Sequence, residues 1–212
     1  MAKLNTNSNA YTIGYASLMV IIVAFLLAFV ASALKPTQDE NVKLDTKKQI
    51  LAALRITDCA DANAKYKEVF GTDDLSTEQT FTANVDGEEK LVVVLKGAGL
   101  WGPIWGWVSI DKDGETVYGT YFNHEAETAG LGARIKDDPA FAASFQGKKI
   151  FDGEAVGLSV LKKGKVDAGS EQYKNYVVDA VTGATLTSNG VNDMLQKCIA
   201  DNKAAIEAFK NK

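Results

Sequence analysis

Between Val178 and Asn189 the chain reads Asp179-Ala180-Val181-Thr182-Gly183-Ala184-Thr185-Leu186-Thr187-Ser188, a run of hydroxyl-bearing and very small residues. Gly183 and Ala184 leave room for a bulky ligand to approach the backbone, and the hydroxyls of Thr182 and Thr187 can donate to phosphate oxygens. Val177 and Val178 lead in as an extended segment, and a long amphipathic helix follows, with Ser188 or Asn189 able to cap it. A helix start presents unpaired N–H groups and a positive dipole end, so the spacing favours an anion such as a phosphate.

A second stretch upstream has the complementary chemistry. In His124-Glu125-Ala126-Glu127-Thr128-Ala129-Gly130-Leu131-Gly132, Gly130 and Gly132 permit a flat ring to lie close to the backbone. Thr128 and main-chain amides can satisfy the polar edge of a pyrimidine, and Leu131 supplies an apolar wall. An unsatisfied polar group buried beside such a ring costs about 1–3 kcal/mol, so each donor matters.

Together the two stretches resemble the tags of the FMN-binding domain family, Asp-x-x-(Ser/Thr)-Gly-Ala-(Thr/Ser) and Glu-Thr-Pro-Gly-Leu-Gly. The similarity extends from the N-terminal apolar segment to the last helix and is closest to the family of C subunits of the sodium-translocating NADH:quinone oxidoreductases. The G subunits of the Rnf ferredoxin:NAD complexes have a similar tag with a less tryptophan-rich Gly-Leu-Trp-Gly segment. A membrane-tethered FMN module without respiratory partners is a third possibility. The resemblance implies FMN esterified through its phosphate to Thr185 by a flavin transferase. It implies a cofactor site of Thr185, Glu127, Thr128, Gly130, Leu131 and Gly132, completed by Thr182, Gly183, Ala184 and Thr187. It also implies other membrane subunits as partners, a bacterial inner-membrane location and a flavin domain on the periplasmic side. Asp179 would support recognition by the transferase or form the turn before the loop. Ala129 stands where the family carries proline, which makes that loop less rigid. The chemistry belongs to the flavin, so no catalytic acid, base or nucleophile and no metal site is expected.

The elements that must position these residues follow from the pattern around them. The 212 residues carry a formal net charge of −4, with 46% hydrophobic and 24% charged residues, which marks a folded domain. Arg55 and Arg134 are the only arginines; without a basic patch, a nucleic-acid partner is not expected. His124 is the sole histidine, and Cys59 and Cys198 form no Cys-x-x-Cys pair. Cys198 falls on the apolar face of the last helix with Val191, Leu195 and Ile199, a core-filling position; a disulfide is permitted but not required.

Residues 1–10 read as a polar cytoplasmic tail. Residues 11–34 contain no charge and are long enough to cross a membrane, which takes about 20 apolar residues. Ala31-Ser32-Ala33 offers a cleavage-like site, but the apolar run exceeds the roughly 7–15 residues of a signal peptide, so a retained anchor is expected. Gly14, Ala16, Ala24, Ala28 and Ala31 give partner helices small contact points. Lys35, Lys43, Lys47 and Lys48 follow the segment and only Lys3 precedes it. By charge alone residues 35–212 would therefore lie in the cytoplasm, whereas the family resemblance places this domain outside.

Residues 35–212 read as an α+β domain with an antiparallel sheet and flanking helices. Helices are predicted at Thr46–Thr57, Ala60–Phe70 and Ser188–Asn211. Strands are predicted at Thr80–Val85, Leu91–Leu95, Ile104–Ile110 and Val117–Phe122, with shorter ones at Lys149–Phe151 and Ala155–Leu161. Asp86-Gly87 and Asp113-Gly114 are the expected hairpin turns. Gly97-Ala98-Gly99-Leu100-Trp101-Gly102 satisfies G-x-G-x-x-G, but Pro103 and a strand follow where a dinucleotide fold needs a helix. A glycine-shaped hairpin is expected there instead. Trp101, Trp105 and Trp107 read as core, subunit-contact or flavin-neighbour residues, a core or subunit-contact role being expected, and Trp105 and Trp107 should share one strand face.

Overall fold

The computed structural model describes residues 8–212, so most of the predicted 1–10 tail lies outside the described residues. Two compact units are present, one ending at Leu44 and one running from Asp45 to Lys212. The first consists of helix α1, Asn9–Ala53, up to Leu44. It is long and apolar enough to cross a membrane, with a most apolar window of mean hydropathy 2.8. The separate helix predicted from Thr46 is the end of this same helix. Pro36 lies inside it, removing one backbone donor without ending the helix.

In the second unit the last turns of α1 are buried through Ile50, Leu51 and Ala53. Helix α2, Ala62–Phe70, is capped by Asp61, which accepts from the amides of Asn63 and Ala64, and it stops at Gly71 in the left-handed conformation. A four-stranded antiparallel meander follows, made of β1 (Thr80–Val85), β2 (Glu88–Ala98), β3 (Pro103–Ile110) and β4 (Val117–His124) in sequential order. Asp86 and Gly87 both have positive φ, 52° and 87°, the type I′ geometry whose twist matches its flanking strands.

Beyond the sheet come short α3 (Arg134–Asp137) and α4 (Pro139–Ala143), then the hairpin β5 (Phe151–Asp152) and β6 (Ala155–Val156). Strand β7 (Ser159–Leu161) pairs in parallel with β8 (Val177–Asp179), helix α5 (Glu171–Tyr176) lying between them in sequence. Helices α6 (Thr185–Asp201) and α7 (Lys203–Lys210) close the chain.

The α+β class holds, with its antiparallel sheet and flanking helices. The single predicted segment Ala155–Leu161 is two strands, because Gly157 sits against the Tyr176 ring where a Cβ would collide. The final helix divides at Asn202 and starts three residues earlier than expected.

Alternation along the strands sends Leu91, Val93, Leu95, Ile104, Val108 and Ile110 into the main core. They meet Val191, Met194, Leu195 and Ile199, which recur at helical spacing on α6. Full burial of one such leucine or isoleucine contributes roughly 1.5–3 kcal/mol. The opposite sheet face rests on the end of α1. Ser109 Oγ donates to Ala53 O at 2.6 Å, and Trp105 Nε1 donates to Gln49 Oε1 at 3.2 Å. Trp107 is buried beside the Tyr121 ring. These two indoles thus serve the α1 side of the sheet. Cys59 and Cys198 are free thiols, and Cys198 is only half-buried at the edge of the core, against the backbone of Lys96.

The β3–β4 loop offers a test by acid. Burial would raise the Asp113 carboxyl, but donation from the Thr116 hydroxyl and the amides of Glu115 and Thr116 outweighs it and holds the group below its ordinary value of 3.8. The folded state therefore favours the anion, and this stabilisation is present above that value and lost as pH falls through the lower folded value. Asp113→Asn should flatten the stability–pH curve on its acid side, below about pH 4, in urea titrations at a series of pH values. An unchanged acid limb would mean the turn contributes nothing to acid sensitivity.

Candidate functional site

Thr185 is the first residue of α6, preceded by Gly183 at φ +84° and by Ala184. The left-handed glycine turns the chain sharply enough for the helix to begin within the tag itself. Ser188 and Asn189 are therefore not caps. Ser188 lies in the first turn, its amide donating to Ala184 O and its buried hydroxyl accepting from Val181 N at 3.1 Å. Its amide is the first to turn back onto α6's own start, so those of Thr185, Leu186 and Thr187 must find acceptors outside the helix. Thr185 itself is exposed. An exposed hydroxyl at a helix start with free amides can hold a phosphate.

Three segments meet around this helix end. The first is the β2–β3 hairpin tip, closed by Gly99 N donating to Gly102 O at 2.8 Å. It is the glycine-shaped hairpin expected in place of a dinucleotide fold. It lies on α6, where Gly190 faces the Ala98 carbonyl and a Cβ at Gly97 would strike Met194. The second is the 124–132 loop, in which Thr128 O accepts from Leu131 N and Ala133 N, both at 3.1 Å, and Gly130 has φ +75°. The third is the tag, with Gly183 beside the Leu131 side chain.

Glu127 joins the three. Its side chain is 7% exposed. One carboxylate oxygen accepts from Thr187 Oγ1 at 2.5 Å and the other from Trp101 N at 2.9 Å. Its own amide donates to His124 Nδ1 at 3.2 Å. Gly99 and Gly132 flank the carboxylate, and a Cβ on either would collide with it; at Gly132 it would also come within 2.6 Å of Thr187 Oγ1. Thr187 is buried and donates its hydroxyl to Glu127, where the sequence reading has it donating to a phosphate oxygen. Glu127 likewise directs its carboxylate to protein donors.

Thr182 is exposed on the wall of a cavity of about 260 Å³ that also includes Arg134, Phe141, Lys148 and Tyr173. There Tyr173 OH donates to Asp179 Oδ2 at 3.0 Å. Lys148 Nζ donates to the carbonyls of Tyr173 and Lys174, and burial pushes its ammonium down against the pull of Asp179. Arg134 is paired with Asp138 at 2.6 Å.

Within the second unit, the large hydrophobic side chains left exposed are Leu100, Trp101, Leu131 and Leu186. All four lie on the three segments around Thr185, with Trp101 66% and Leu186 59% exposed. Leu131 was expected from the sequence; the other three were not. The available signal was Leu100-Trp101 placed at a turn between Gly99 and Gly102, where a merely structural hairpin would carry polar residues.

Thr187→Val keeps the side-chain volume but strands a buried carboxylate oxygen. It should destabilise the domain by about 1–3 kcal/mol, read from the urea midpoint, while Thr182→Val, on the exposed wall, should stay within about 0.5 kcal/mol of the parent. Equal effects would show that the Glu127 contact carries no special weight.

Residues 99–200, which span both tags, match the model of the FMN-binding domain. The C subunit of the Na(+)-translocating NADH-quinone reductase of Haemophilus ducreyi is 30% identical over 91% of this chain and 90% of its own length. The protein of the same name from Chlamydia muridarum is 40% identical over 58% of this chain, but the match spans only 42% of that longer relative. Among solved structures, the crystal structure of the C subunit of the Na(+)-translocating NADH-quinone reductase from Parabacteroides distasonis aligns with a TM-score of 0.71 and 35% identity. The alignment covers 82% of this chain and 96% of that one. The fold, both tags and near-complete coverage place the chain in the family of C subunits of the Na(+)-translocating NADH-quinone reductases.

Proposed function

We propose that this chain is an electron-carrying subunit of a membrane NADH:quinone reductase that exports sodium, and that it holds FMN as a phosphoester on Thr185. The observation that carries this reading is the exposed Thr185 hydroxyl at the first position of α6, next to helix amides that lack acceptors within the helix. The residues around it fit the rest of the cofactor: exposed apolar side chains for the ring system, and Thr128, Gly130, Leu131 and Gly132 in a glycine-loosened loop.

When bound, FMN supplies the one- and two-electron chemistry. The chain supplies the hold and the surroundings. Thr185 fixes the phosphate covalently, so the cofactor is not lost while its ring stays free of covalent change. The dipole and amides of α6 offset the phosphate charge. Gly183 and Ala184 keep the approach open to a flavin transferase, for which Asp179 and Thr182 are the remaining points of the tag. Thr185 is an attachment point and does not turn over.

In this reading residues 11–34 are a retained single-pass anchor in the bacterial inner membrane, residues 1–10 are cytoplasmic, and residues 35–212 form the flavin domain on the periplasmic side. The anchor carries no charge, so the other subunits would meet it by packing at its small residues. The G-x-G-x-x-G run leads into β3 and not into a helix, so this subunit is not expected to oxidise NADH alone.

Thr185→Ala and Thr185→Val should each abolish the fluorescent flavin band that survives a denaturing gel while leaving the urea midpoint close to the parent's. A persisting band would move the attachment to another hydroxyl of the tag.

A further inference from the structure

Trp101 combines two features that ordinary stability does not account for. Its indole is 66% exposed, yet its backbone amide is tied at 2.9 Å to a buried carboxylate that also holds the first turn of α6. Three glycines make this arrangement possible. Gly99 and Gly132 leave space for the carboxylate, and Gly190 lets the hairpin strand settle onto the helix. Trp105 and Trp107 are committed to the α1 side of the sheet, the former donating to Gln49 and the latter packed on Tyr121. Among the three indoles, only Trp101 stands at the rim around Thr185.

We propose that Glu127 is a positioning residue that holds the Trp101 indole against the flavin carried by Thr185. The inference rests on the attachment argued above and adds to it the residue that sets the ring's aromatic neighbour. Thr187 is two residues beyond Thr185 on the same helical turn, so one carboxylate fixes both the helix end and the hairpin tip in a single frame. Neither a hinge nor a flexible side chain lies between the two bonds. The indole face and the exposed Leu100, Leu131 and Leu186 then form an apolar seat for a planar ring, for which offset stacking at about 4.5–7 Å between centroids is the favoured geometry.

A tryptophan within contact distance quenches an excited flavin by giving it an electron, which returns after decay, so the parent flavin should be dim. Full-length chain co-expressed with a flavin transferase is compared with Trp101→Leu, Glu127→Ala and Glu127→Gln, with intact mass confirming equal flavin loading. Trp101→Leu should brighten the flavin severalfold. Glu127→Ala, which cuts both bonds, should brighten it too and raise the exchange rate of the Trp101 amide with deuterated water. Glu127→Gln can still accept from Trp101 N and donate to Thr187 Oγ1, and should remain dim. Unchanged fluorescence in Trp101→Leu would remove the indole from the ring. A bright Trp101→Leu beside a dim Glu127→Ala would show that the indole holds its place without the carboxylate. The amide exchange, measured on flavin-free chain, judges the tie even where no flavin attaches, so its outcome and that of the attachment are read separately.

Discussion

Two hydrogen bonds to one buried carboxylate hold the candidate site together. Glu127 receives the Thr187 hydroxyl from α6 and the Trp101 amide from the β2–β3 hairpin, joining segments far apart in sequence. A buried carboxylate is tolerated only when its oxygens are satisfied, since an unpaired one would cost several kcal/mol. The surrounding structure follows from that requirement. Glycine is needed at positions 99 and 132 because any side chain would displace the carboxylate, and at 190 because the Ala98 carbonyl occupies the space a Cβ would take. The main core, in which Val191, Met194 and Leu195 pack on the sheet, keeps α6 in register with the hairpin and so keeps the two bonds short.

The sheet and the segments that gather at the candidate site were legible in the sequence because their determinants are local. Alternating apolar residues and the Asp86-Gly87 turn mark the meander without reference to anything distant. The two tags marked Thr185 and the 124–132 loop in the same way. The interactions that bring them together were not legible. Thr187 looked like a phosphate donor because its partner lies sixty residues upstream, and a hydroxyl's choice between ligand and protein is a tertiary fact. Ser188 looked like a cap because it precedes an apolar run, but Gly183 starts the helix earlier and turns Ser188 inward. The parallel pairing of β7 with β8 was missed because each strand is only three residues long, too short for a periodic signal. That Trp101 stands exposed was not legible for a related reason: spacing says which residues share a face, not which are left uncovered.

The proposed phosphoester on the start of α6 would suit a one-domain carrier. Phosphate binding by amides alone is reversible, whereas an ester keeps the flavin in place through every redox cycle without altering the ring. In that reading the fold would control the ring's neighbours, through loops mounted on a rigid sheet and helix instead of through loops free to move. In the proposed reading, the close approach of three glycine-containing segments and the cluster of exposed apolar side chains at Thr185 would belong to one design, the helix end holding the phosphate and the surrounding rim receiving the ring.

The central claim is the bond between Thr185 and riboflavin phosphate, and its most direct test is peptide mass mapping of the chain purified from its native membrane. The account predicts that the peptide spanning Asp179–Ser188 is heavier than its amino acids by one FMN less water, with fragmentation placing the added mass on Thr185. A peptide of unmodified mass, in protein that has not been exposed to conditions that hydrolyse phosphoesters, would contradict it.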